Sequence, residues 1–389
     1  MSSEHIIDGH RLVILRNGEE YFPRLVAAIN NAAESVYLET YIYALDGIGD
    51  MVTDALRRAA RRGVKTHLLL DGYGCAERTH KWMEELRAMG IGVLKFRPEI
   101  SWLTLKRQRL RRLHRKLAVV DGRVAFVGGI NIVSDVPGNG LQEPRLDYAV
   151  EIHGDTVARI QAATRRLWVM VSWLSFRGQR EQVRWQPAHP HDAQRKVLLL
   201  VRDNLRHRRD IEQAYLRAIN SAEKEIILAN AYFLPSQRMR HALQDAALRG
   251  VRVLLLLQGK VEYRLQHYAT LALYDDLLRS GVEIYEYHLS YLHAKVAVVD
   301  GHWATLGSSN IEPFSLWLAR EANLVVRDEG FAGALRADLL HEIGRGAHRV
   351  EHSIWSRRGT WMRLLIRGSY AFMRVLTSVI GNVRGRDDV

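Results

Sequence analysis

The sequence predicts a duplicated α/β fold, in which two similar halves each build a β-sheet covered by helices. The first observation is a motif that occurs twice with identical spacing, His-x-Lys-x4-Asp-x6-Gly-[Gly/Ser]-x-Asn. The second is that apolar strands and amphipathic helices alternate in the same order in both halves. Strands that alternate with helices favour a sheet layered between helices. We therefore expect a pseudo-two-fold chain made of two such units.

Each half follows the same order of predicted elements, beginning with an amphipathic helix that leads into an apolar strand. Two further helix and strand pairs follow, and the apolar stretches of the halves match one to one. They lie at 36–43, 62–72 and 90–96 in the first half and at 226–233, 249–259 and 281–287 in the second. Gly63 and Gly250 stand at matching places between helix and strand, where a glycine commonly ends a helix.

The repeated motif is predicted to form a hairpin in each half. A β-rich run, an Asp-Gly turn signal and a second β-rich run lead to a loop that contains glycine. Side chains alternate across a strand, so the His and the Lys of each copy face the same side. A lysine charge, asparagine amide donors and open glycine backbone suit an anionic phosphate. The residues are His114, Lys116, Asp121, Gly129 and Asn131 in the first copy and His293, Lys295, Asp300, Ser308 and Asn310 in the second.

These residues resemble the two HKD motifs of the phospholipase D superfamily, and the resemblance spans nearly the whole chain. The stretch from His302 to Asn323 is similar in particular to bacterial cardiolipin synthases of the shorter B type. The resemblance implies a duplicated phospholipase D-like fold with two mixed β-sheets flanked by helices in a pseudo-two-fold arrangement. It places the active site at the interface of the halves and implies no cofactor.

The resemblance also implies an exchange at phosphorus that uses two histidines. The residues themselves do not decide which one attacks. By resemblance, His114 forms a phosphohistidine and His293 acts as acid and then as base, a role commonly worth ~10²–10⁴-fold in rate. Gly129 and Ser308 would shape the phosphate loop. The side chains expected to hold the non-bridging oxygens are Lys116, Lys295, Asn131 and Asn310.

A nucleophilic histidine needs an acceptor on its second ring nitrogen, which fixes the tautomer and stabilises the cation. In the superfamily this group serves the histidine of the opposite half. By resemblance we pair Glu321 with His114 and Asp147 with His293. The alternative is that both acids are ordinary carboxylates at strand edges.

Asp121 and Asp300 complete the named motif and belong to the expected catalytic set. Both, however, stand at Asp-Gly turns. Asp side chains at turns commonly bond nearby backbone. Their position therefore favours a structural role, in which they cap the loop or hold the motif strand in place.

Composition limits the classes of partner. The 389 residues carry a formal net charge of +13, which favours either an acidic membrane surface or nucleic acid. Cys75 is the only cysteine, so no internal disulfide is possible. We expect no secretion signal at the amino terminus and no run of ~20 apolar residues that could span a membrane. The 17 histidines raise the question of a metal, but each motif His lies beside a Lys that would repel a divalent ion, so no metal site is predicted.

The chain is predicted to divide into a first half at 1–175, a linker at 176–196, a second half at 197–349 and a basic amphipathic tail at 350–389. An insertion at 101–113 and the tail combine Trp and Leu with many Arg residues. A basic, Trp-bearing amphipathic segment can lie in a membrane interface. The alternative is a helix packed on its own domain with a solvated basic face.

The function that the resemblance implies is that of a cardiolipin synthase, which moves a phosphatidyl group from one phosphatidylglycerol to another and releases glycerol. We expect a peripheral protein on the cytoplasmic face of the bacterial membrane, with acidic phospholipid and no nucleic acid as partner. One rival is a phospholipase D-like hydrolase or nuclease that uses water as acceptor. Another is a non-catalytic scaffold, which two intact motifs argue against. The acceptor alcohol, oligomeric state and need for an accessory protein stay open.

Overall fold

A computed structural model of the chain describes residues 3–75, 80–97, 111–136, 143–175, 195–203, 207–312, 319–352 and 360–382. The first half opens with a hairpin and then alternates helices and strands. Its elements are β1 (Glu4–Ile7), β2 (His10–Arg16), α1 (Asn17–Asn30), β3 (Ser35–Thr40), α2 (Gly47–Arg61), β4 (Lys65–Asp71), α3 (His80–Ala88), β5 (Gly92–Phe96), β6 (Arg112–Leu113), β7 (Lys116–Val120), β8 (Val124–Gly128), β9 (Tyr148–His153) and α4 (Thr156–Leu174).

The second half opens with a single strand and repeats the alternation of helices and strands, with two helices before its third parallel strand. It ends with an additional short strand and an additional helix. Its elements are β10 (Val197–Arg202), α5 (Asp210–Ser221), β11 (Glu225–Asn230), α6 (Gln237–Leu248), β12 (Arg252–Gln258), α7 (Arg264–Leu271), α8 (Tyr274–Arg279), β13 (Glu283–Tyr287), β14 (Lys295–Val299), β15 (Trp303–Gly307), β16 (Ala319–Arg327), α9 (Glu329–Gly346), β17 (Ala347–Arg349) and α10 (Thr360–Asn382).

Each half builds one mixed sheet with the same internal order. In the first sheet β3, β4 and β5 pair in parallel, and β7, β8 and β9 continue from β3 as antiparallel neighbours. In the second sheet β11, β12 and β13 are the parallel strands, and β14, β15 and β16 the antiparallel ones. The predicted duplicated α/β fold with two mixed sheets is therefore confirmed.

The motif strands β7 and β14 lie in the middle of the two sheets, and every residue of both is buried. Strands covered on both faces read as continuous apolar runs, which explains the sequences at 117–120 and 296–299. The inner faces of the sheets meet in an apolar cluster with side chains from both halves, such as Val127 and Leu306. The halves therefore share a core, and both motif strands border it.

Helix ends follow local sequence signals. Asp46 accepts a hydrogen bond from the Gly49 N–H at 2.9 Å and caps α2, and Asp328 caps α9 in the same way. Gly63 and Gly250 follow α2 and α6 with φ values of +85° and +90°, and a Cβ at either would meet nothing within 4 Å. The positive φ is thus the reason for glycine, and the two predicted helix ends are confirmed.

Helix α10, in the predicted tail, packs against α7. Ile366 and Met373 are buried in the core of the second half. Other apolar side chains of this helix face away from the protein and are exposed, namely Trp361, Leu364, Leu365, Phe372 and Val375. Among the helices that the structure describes, none combines the length and apolar composition needed to cross a membrane.

Several expectations fall wholly or partly outside the described ranges. The predicted linker at 176–196 is described only at 195–196, and the insertion at 101–113 only at 111–113. The tail is described at 350–352 and 360–382. The domain boundaries accordingly stay predictions.

Candidate active site

The two motifs meet because short segments of the halves pair across the interface. β6, at the entrance to the first motif, pairs in parallel with the start of β16, and the His114 N–H donates to the Arg320 carbonyl at 3.0 Å. On the other side Leu146 forms a bridge with Leu292, and the His293 N–H donates to the Leu146 carbonyl at 2.8 Å. Each motif histidine therefore lies beside a segment of the opposite half.

This pairing joins His114 to Glu321. Nδ1 of His114 lies 3.0 and 3.1 Å from the two carboxylate oxygens and 3.1 Å from the Ser308 carbonyl. The Glu321 side chain is 0% exposed and that of His114 is 15% exposed. Because a carboxylate and a carbonyl only accept, Nδ1 carries the proton, and Nε2 is left for other chemistry.

The matching pair on the other side is His293 with Asp147. Nδ1 of His293 donates to Oδ2 of Asp147 at 2.6 Å, and the two side chains are 15% and 7% exposed. Lys295 donates from Nζ to the His293 carbonyl and lies 2.9 Å from Nδ1. Both contacts between a histidine and an acid are the ones that the sequence suggested. Their catalytic role stays a proposal.

The surroundings keep both histidines neutral. Burial lowers the pKa of His293 to about 3, aided by the charge of Lys295 and opposed by Asp147. Burial also lowers the pKa of His114, where Glu321 opposes it and Lys116 adds to it. Neutral imidazoles with Nδ1 protonated carry a lone pair on Nε2, so each is prepared to attack or to take a proton.

Two buried lysines face this cluster. Burial lowers the pKa of Lys116 to about 7; the charge of Glu321 opposes this shift, and the charge of Lys295 lowers the pKa further. Burial lowers the pKa of Lys295 as well. Burial raises the pKa values of Glu321 and Asp147, but the neighbouring cations and histidines outweigh it and hold both below the ordinary range. The acids are thus ionised, but their negative charge does not fully offset the cost of burying the two lysine cations. A bound phosphate would add the negative charge that stabilises both cations.

The two motif asparagines lie in the loops that end the hairpins, and both are buried. Oδ1 of Asn131 accepts from the Ile42 N–H at 3.2 Å and so supports the first loop. Oδ1 of Asn310 is buried and has no hydrogen-bond partner within the described ranges. Asn310 is therefore available to accept a hydrogen bond from a ligand.

Gly129 and Ser308 each lie against one of the two buried acids. A Cβ on Gly129 would lie 2.3 Å from Oδ1 of Asp147, so only glycine lets that acid approach. The Ser308 hydroxyl is fully buried and donates to Glu321 at 2.5 Å. The Ser308 hydroxyl thus positions Glu321, and the expectation that Ser308 belongs to the phosphate-binding loop stays a prediction.

Asp121 and Asp300 do not join the cluster. Asp121 follows β7 at the end opposite to Lys116, about 16 Å away at ~3.3 Å per residue. Its carboxylate accepts from three consecutive backbone N–H groups, 33–35, each at 2.8 Å. Asp300 does the same for 223–225 at 2.8–2.9 Å. Their geometry fits the structural role that the turn position favours, and not direct catalysis.

Two residues outside the motifs also position the site. Oδ2 of Asp71 accepts from the Leu113 N–H at 2.8 Å, and Oε1 of Gln258 accepts from the Leu292 N–H at 2.9 Å. Each thus holds the residue before a motif histidine. Sequence reasoning missed both, although they occupy matching positions in the aligned repeats, each directly before a glycine.

Tyr41 adds an aromatic wall that the sequence did not reveal. Its ring lies 4.9 Å from the His114 ring, edge to face. Nζ of Lys116 lies 5.5 Å from the same ring. The tyrosine therefore restricts the motion of both side chains.

Comparisons with known proteins agree with this arrangement. A family model described as "Cardiolipin synthase, PLD-like domain" matches residues 25–168 and 215–342. Cardiolipin synthase B of Escherichia coli is 37% identical over 384 residues, which cover 96% of this chain and 90% of that protein. Cardiolipin synthase of Geobacillus kaustophilus is 32% identical over 355 residues, which cover 90% of this chain and 69% of that protein.

A solved structure supports the fold. Phosphatidylserine synthase of Haemophilus influenzae superposes with a TM-score of 0.69 over 95% of this chain and 94% of that one, at 13% identity. The family model covers well over half of the chain, and the two copies of the motif lie inside its matched ranges. The chain therefore belongs to the phospholipase D-like cardiolipin synthase family.

Proposed function

We propose that this protein is a cardiolipin synthase that transfers a phosphatidyl group from one phosphatidylglycerol to the terminal hydroxyl of a second, with release of glycerol. The observation that carries the proposal is the pair of neutral histidines, each of which donates a hydrogen bond from Nδ1 to a buried acid of the opposite half. The names of the relatives supply the product.

The first step forms a covalent intermediate on His114. Nε2 of His114 attacks the phosphorus of the donor, a P–N bond forms, and the P–O bond to the glycerol headgroup breaks. The departing alkoxide takes a proton from Nε2 of His293. The charge of the bound phosphodiester offsets that of Lys295 and raises the pKa of His293, so that it can carry this proton.

The second step reverses the first with another alcohol. His293, now neutral, takes the proton of the acceptor hydroxyl, whose oxygen attacks phosphorus while the P–N bond breaks. Glu321 stabilises the charge on His114 during both steps. Lys116 and Lys295 are the cations for the non-bridging oxygens, and Asn310 offers an acceptor for a headgroup hydroxyl.

We also propose that the protein binds an acidic membrane from its cytoplasmic face. Support comes from the outward apolar residues of α10, which include Trp361 at 85% exposure. This helix packs on α7, next to the exposed Val261 and Tyr263. The net charge of +13 favours an anionic surface, although it favours nucleic acid as well.

Water is the alternative acceptor, and one observation favours it. The side chains of both histidines are 15% exposed, so solvent reaches the cluster in the free protein. Hydrolysis would convert phosphatidylglycerol to phosphatidic acid by the same two steps.

The test is incubation of the purified protein with phosphatidylglycerol vesicles in EDTA, with lipid products separated by mass spectrometry. Cardiolipin and glycerol from the wild type, and none from His114→Ala, are the expected result. Phosphatidic acid without cardiolipin would replace the proposal with hydrolysis. Equal product from the His114→Ala protein would overturn the two-histidine scheme.

A further inference from the structure

Arg112 is a half-buried cation whose terminal nitrogens make no hydrogen bond to the described residues. Its terminal nitrogens Nη1 and Nη2 are both buried, and neither has a hydrogen-bond partner in the part of the chain that the structure describes. Its recorded neighbour is the ring of Tyr73, 5.5 Å from the guanidinium carbon. Leaving a buried donor without a hydrogen bond is unfavourable, and more so when the donor is charged. Such an arrangement favours binding of an anion.

Within the described ranges, no carboxylate accepts a hydrogen bond from the terminal nitrogens of Arg112. Asp71 lies close enough for the charge of Arg112 to lower its pKa, but burial outweighs this and raises the pKa overall. Both oxygens of Asp71 are already used, Oδ1 by the N–H groups of Tyr73 and Gly74 and Oδ2 by that of Leu113. Asp71 therefore holds backbone N–H groups and, among the described residues, accepts no hydrogen bond from Nη1 or Nη2 of Arg112.

Arg112 lies close to His114 along the chain. Arg112 stands two residues before His114, so the two side chains face the same side of the extended segment, about 7 Å apart along it. Tyr41 lies near both residues. Its ring contacts that of His114, and the charge of Arg112 acts to lower the pKa of its hydroxyl. The residue paired with Arg112 in the sheet register is the small Ala319.

The site is asymmetric in this respect. The residue two before His293 is Tyr291, and the arginine on that side, Arg145, comes from the opposite half. Arg145 stacks on Tyr291 at 5.5 Å and lies 3.9 Å from Glu262. Among the described residues, Arg112 thus forms no ion pair with a carboxylate, whereas Arg145 lies within ion-pair distance of Glu262.

We propose that Arg112 binds the phosphate of the acceptor lipid while the phosphatidyl group is on His114, an inference that rests on the proposed function. The reacting phosphate occupies Lys116 and Lys295, so the second phosphate needs its own cation. A guanidinium matches two phosphate oxygens at once and keeps its face on an aromatic ring. Movement of the Tyr73 side chain, which is 61% exposed, opens Nη1 and Nη2 to the lipid.

The contact with Arg112 positions the acceptor lipid and takes no part in the bond changes of the group-transfer step. The acceptor hydroxyl gives its proton to His293, its oxygen bonds to phosphorus, and the P–N bond to His114 breaks. Arg112 fixes the far phosphate so that this hydroxyl faces phosphorus. An alcohol without a phosphate cannot use the contact, so Arg112 should select among acceptors without affecting formation of the intermediate.

The test compares two acceptors in one assay. Wild type, Arg112→Gln and Arg112→Lys are given phosphatidylglycerol vesicles with and without 1-butanol, and cardiolipin and phosphatidylbutanol are measured by mass spectrometry. Arg112→Gln should lower cardiolipin formation roughly 10- to 100-fold and leave phosphatidylbutanol formation unchanged. Cardiolipin formation by Arg112→Lys should lie between that of the wild type and that of Arg112→Gln. The exposed Arg123, 79% exposed, supplies the control Arg123→Gln, which changes net charge equally and should behave as wild type.

The outcomes separate this inference from the function on which it rests. Parallel loss of both products in Arg112→Gln, or an unchanged ratio of the two, would overturn the role of Arg112 while the wild type still makes cardiolipin. Phosphatidylbutanol from the variant also shows that the protein is folded. If the wild type forms no cardiolipin, the proposed function and this inference fall together.

Discussion

Nδ1 of His293 lies 2.6 Å from Oδ2 of Asp147, although 146 residues separate them along the chain. His114 and Glu321 form the same contact across 207 residues. Each half therefore supplies a histidine to one pair and an acid to the other. Neither half alone holds a complete pair, so the two-fold packing of the halves is a condition for the chemistry.

The acids are expected to act by orienting the histidines and stabilising their charge. Asp147→Asn and Glu321→Gln keep the shape but favour the wrong tautomer, so each should lower turnover by roughly 10²–10⁴-fold. Ser308→Ala, which removes a hydrogen bond to Glu321, is a milder control and should cost less. Turnover of phosphatidylglycerol and circular dichroism are the measurements. Near-normal turnover in both acid variants would contradict the assignment.

The two histidines are expected to differ in a trapping experiment. With a short-chain phosphodiester that carries an activated leaving group, no acid is needed in the first step. His293→Ala should then accumulate a phosphohistidine after rapid acid-free quenching, whereas His114→Ala should form none. Intact-protein mass spectrometry detects the adduct. The reverse pattern would identify His293 as the nucleophile.

The pH dependence of substrate binding should reveal Lys116. Its pKa in the free protein is lowered to about 7, so the cation is present below that pH and lost above it. Binding of an anionic donor should weaken as the pH rises from about 6 to about 8.5, in part because the donor must restore the proton. Lys116→Arg, which stays charged, should flatten this profile. A flat wild-type profile would contradict the low pKa.

Asp121 and Asp300 are expected to matter for stability. Asp121→Ala removes the acceptor for three backbone N–H groups and should lower the free energy of unfolding by about 2–3 kcal/mol. Asp121→Asn keeps an acceptor and tolerates the positive φ of 52°, so it should lose less. Denaturant unfolding measures the change. Normal stability together with abolished turnover would instead indicate a catalytic role.

The outward face of α10 should bind lipid. The triple variant Trp361→Ser, Leu364→Ser, Phe372→Ser should reduce sedimentation with anionic vesicles more strongly than turnover of a short-chain soluble donor. Ile6→Ser, at a residue 70% exposed on β1, is the matched control. Equal losses of vesicle binding and soluble turnover would show that the helix supports the fold and not the membrane contact.

The sequence alone was sufficient to predict the repeat and a phosphate-binding motif in each half. Identical spacing of His, Lys, Asp and Asn in two copies, with apolar strands in register around them, predicted the duplicated α/β fold. This is possible because strand alternation and turn signals are local properties, readable from neighbouring residues. The pairing of Glu321 with His114 came from the resemblance and not from spacing.

Only the tertiary structure decided which polar side chains form hydrogen bonds within the described part of the protein. Contacts between distant segments set the hydrogen bond from Ser308 to Glu321 and the bonds by which Asp71 and Gln258 hold the residues before the histidines. The same packing leaves Nη1 and Nη2 of Arg112 without a hydrogen-bond partner among the described residues. Hydrogen bonding is directional and short in range, so its outcome follows only from packing in three dimensions. The local sequence determined the two halves, and the packing between them determined the site.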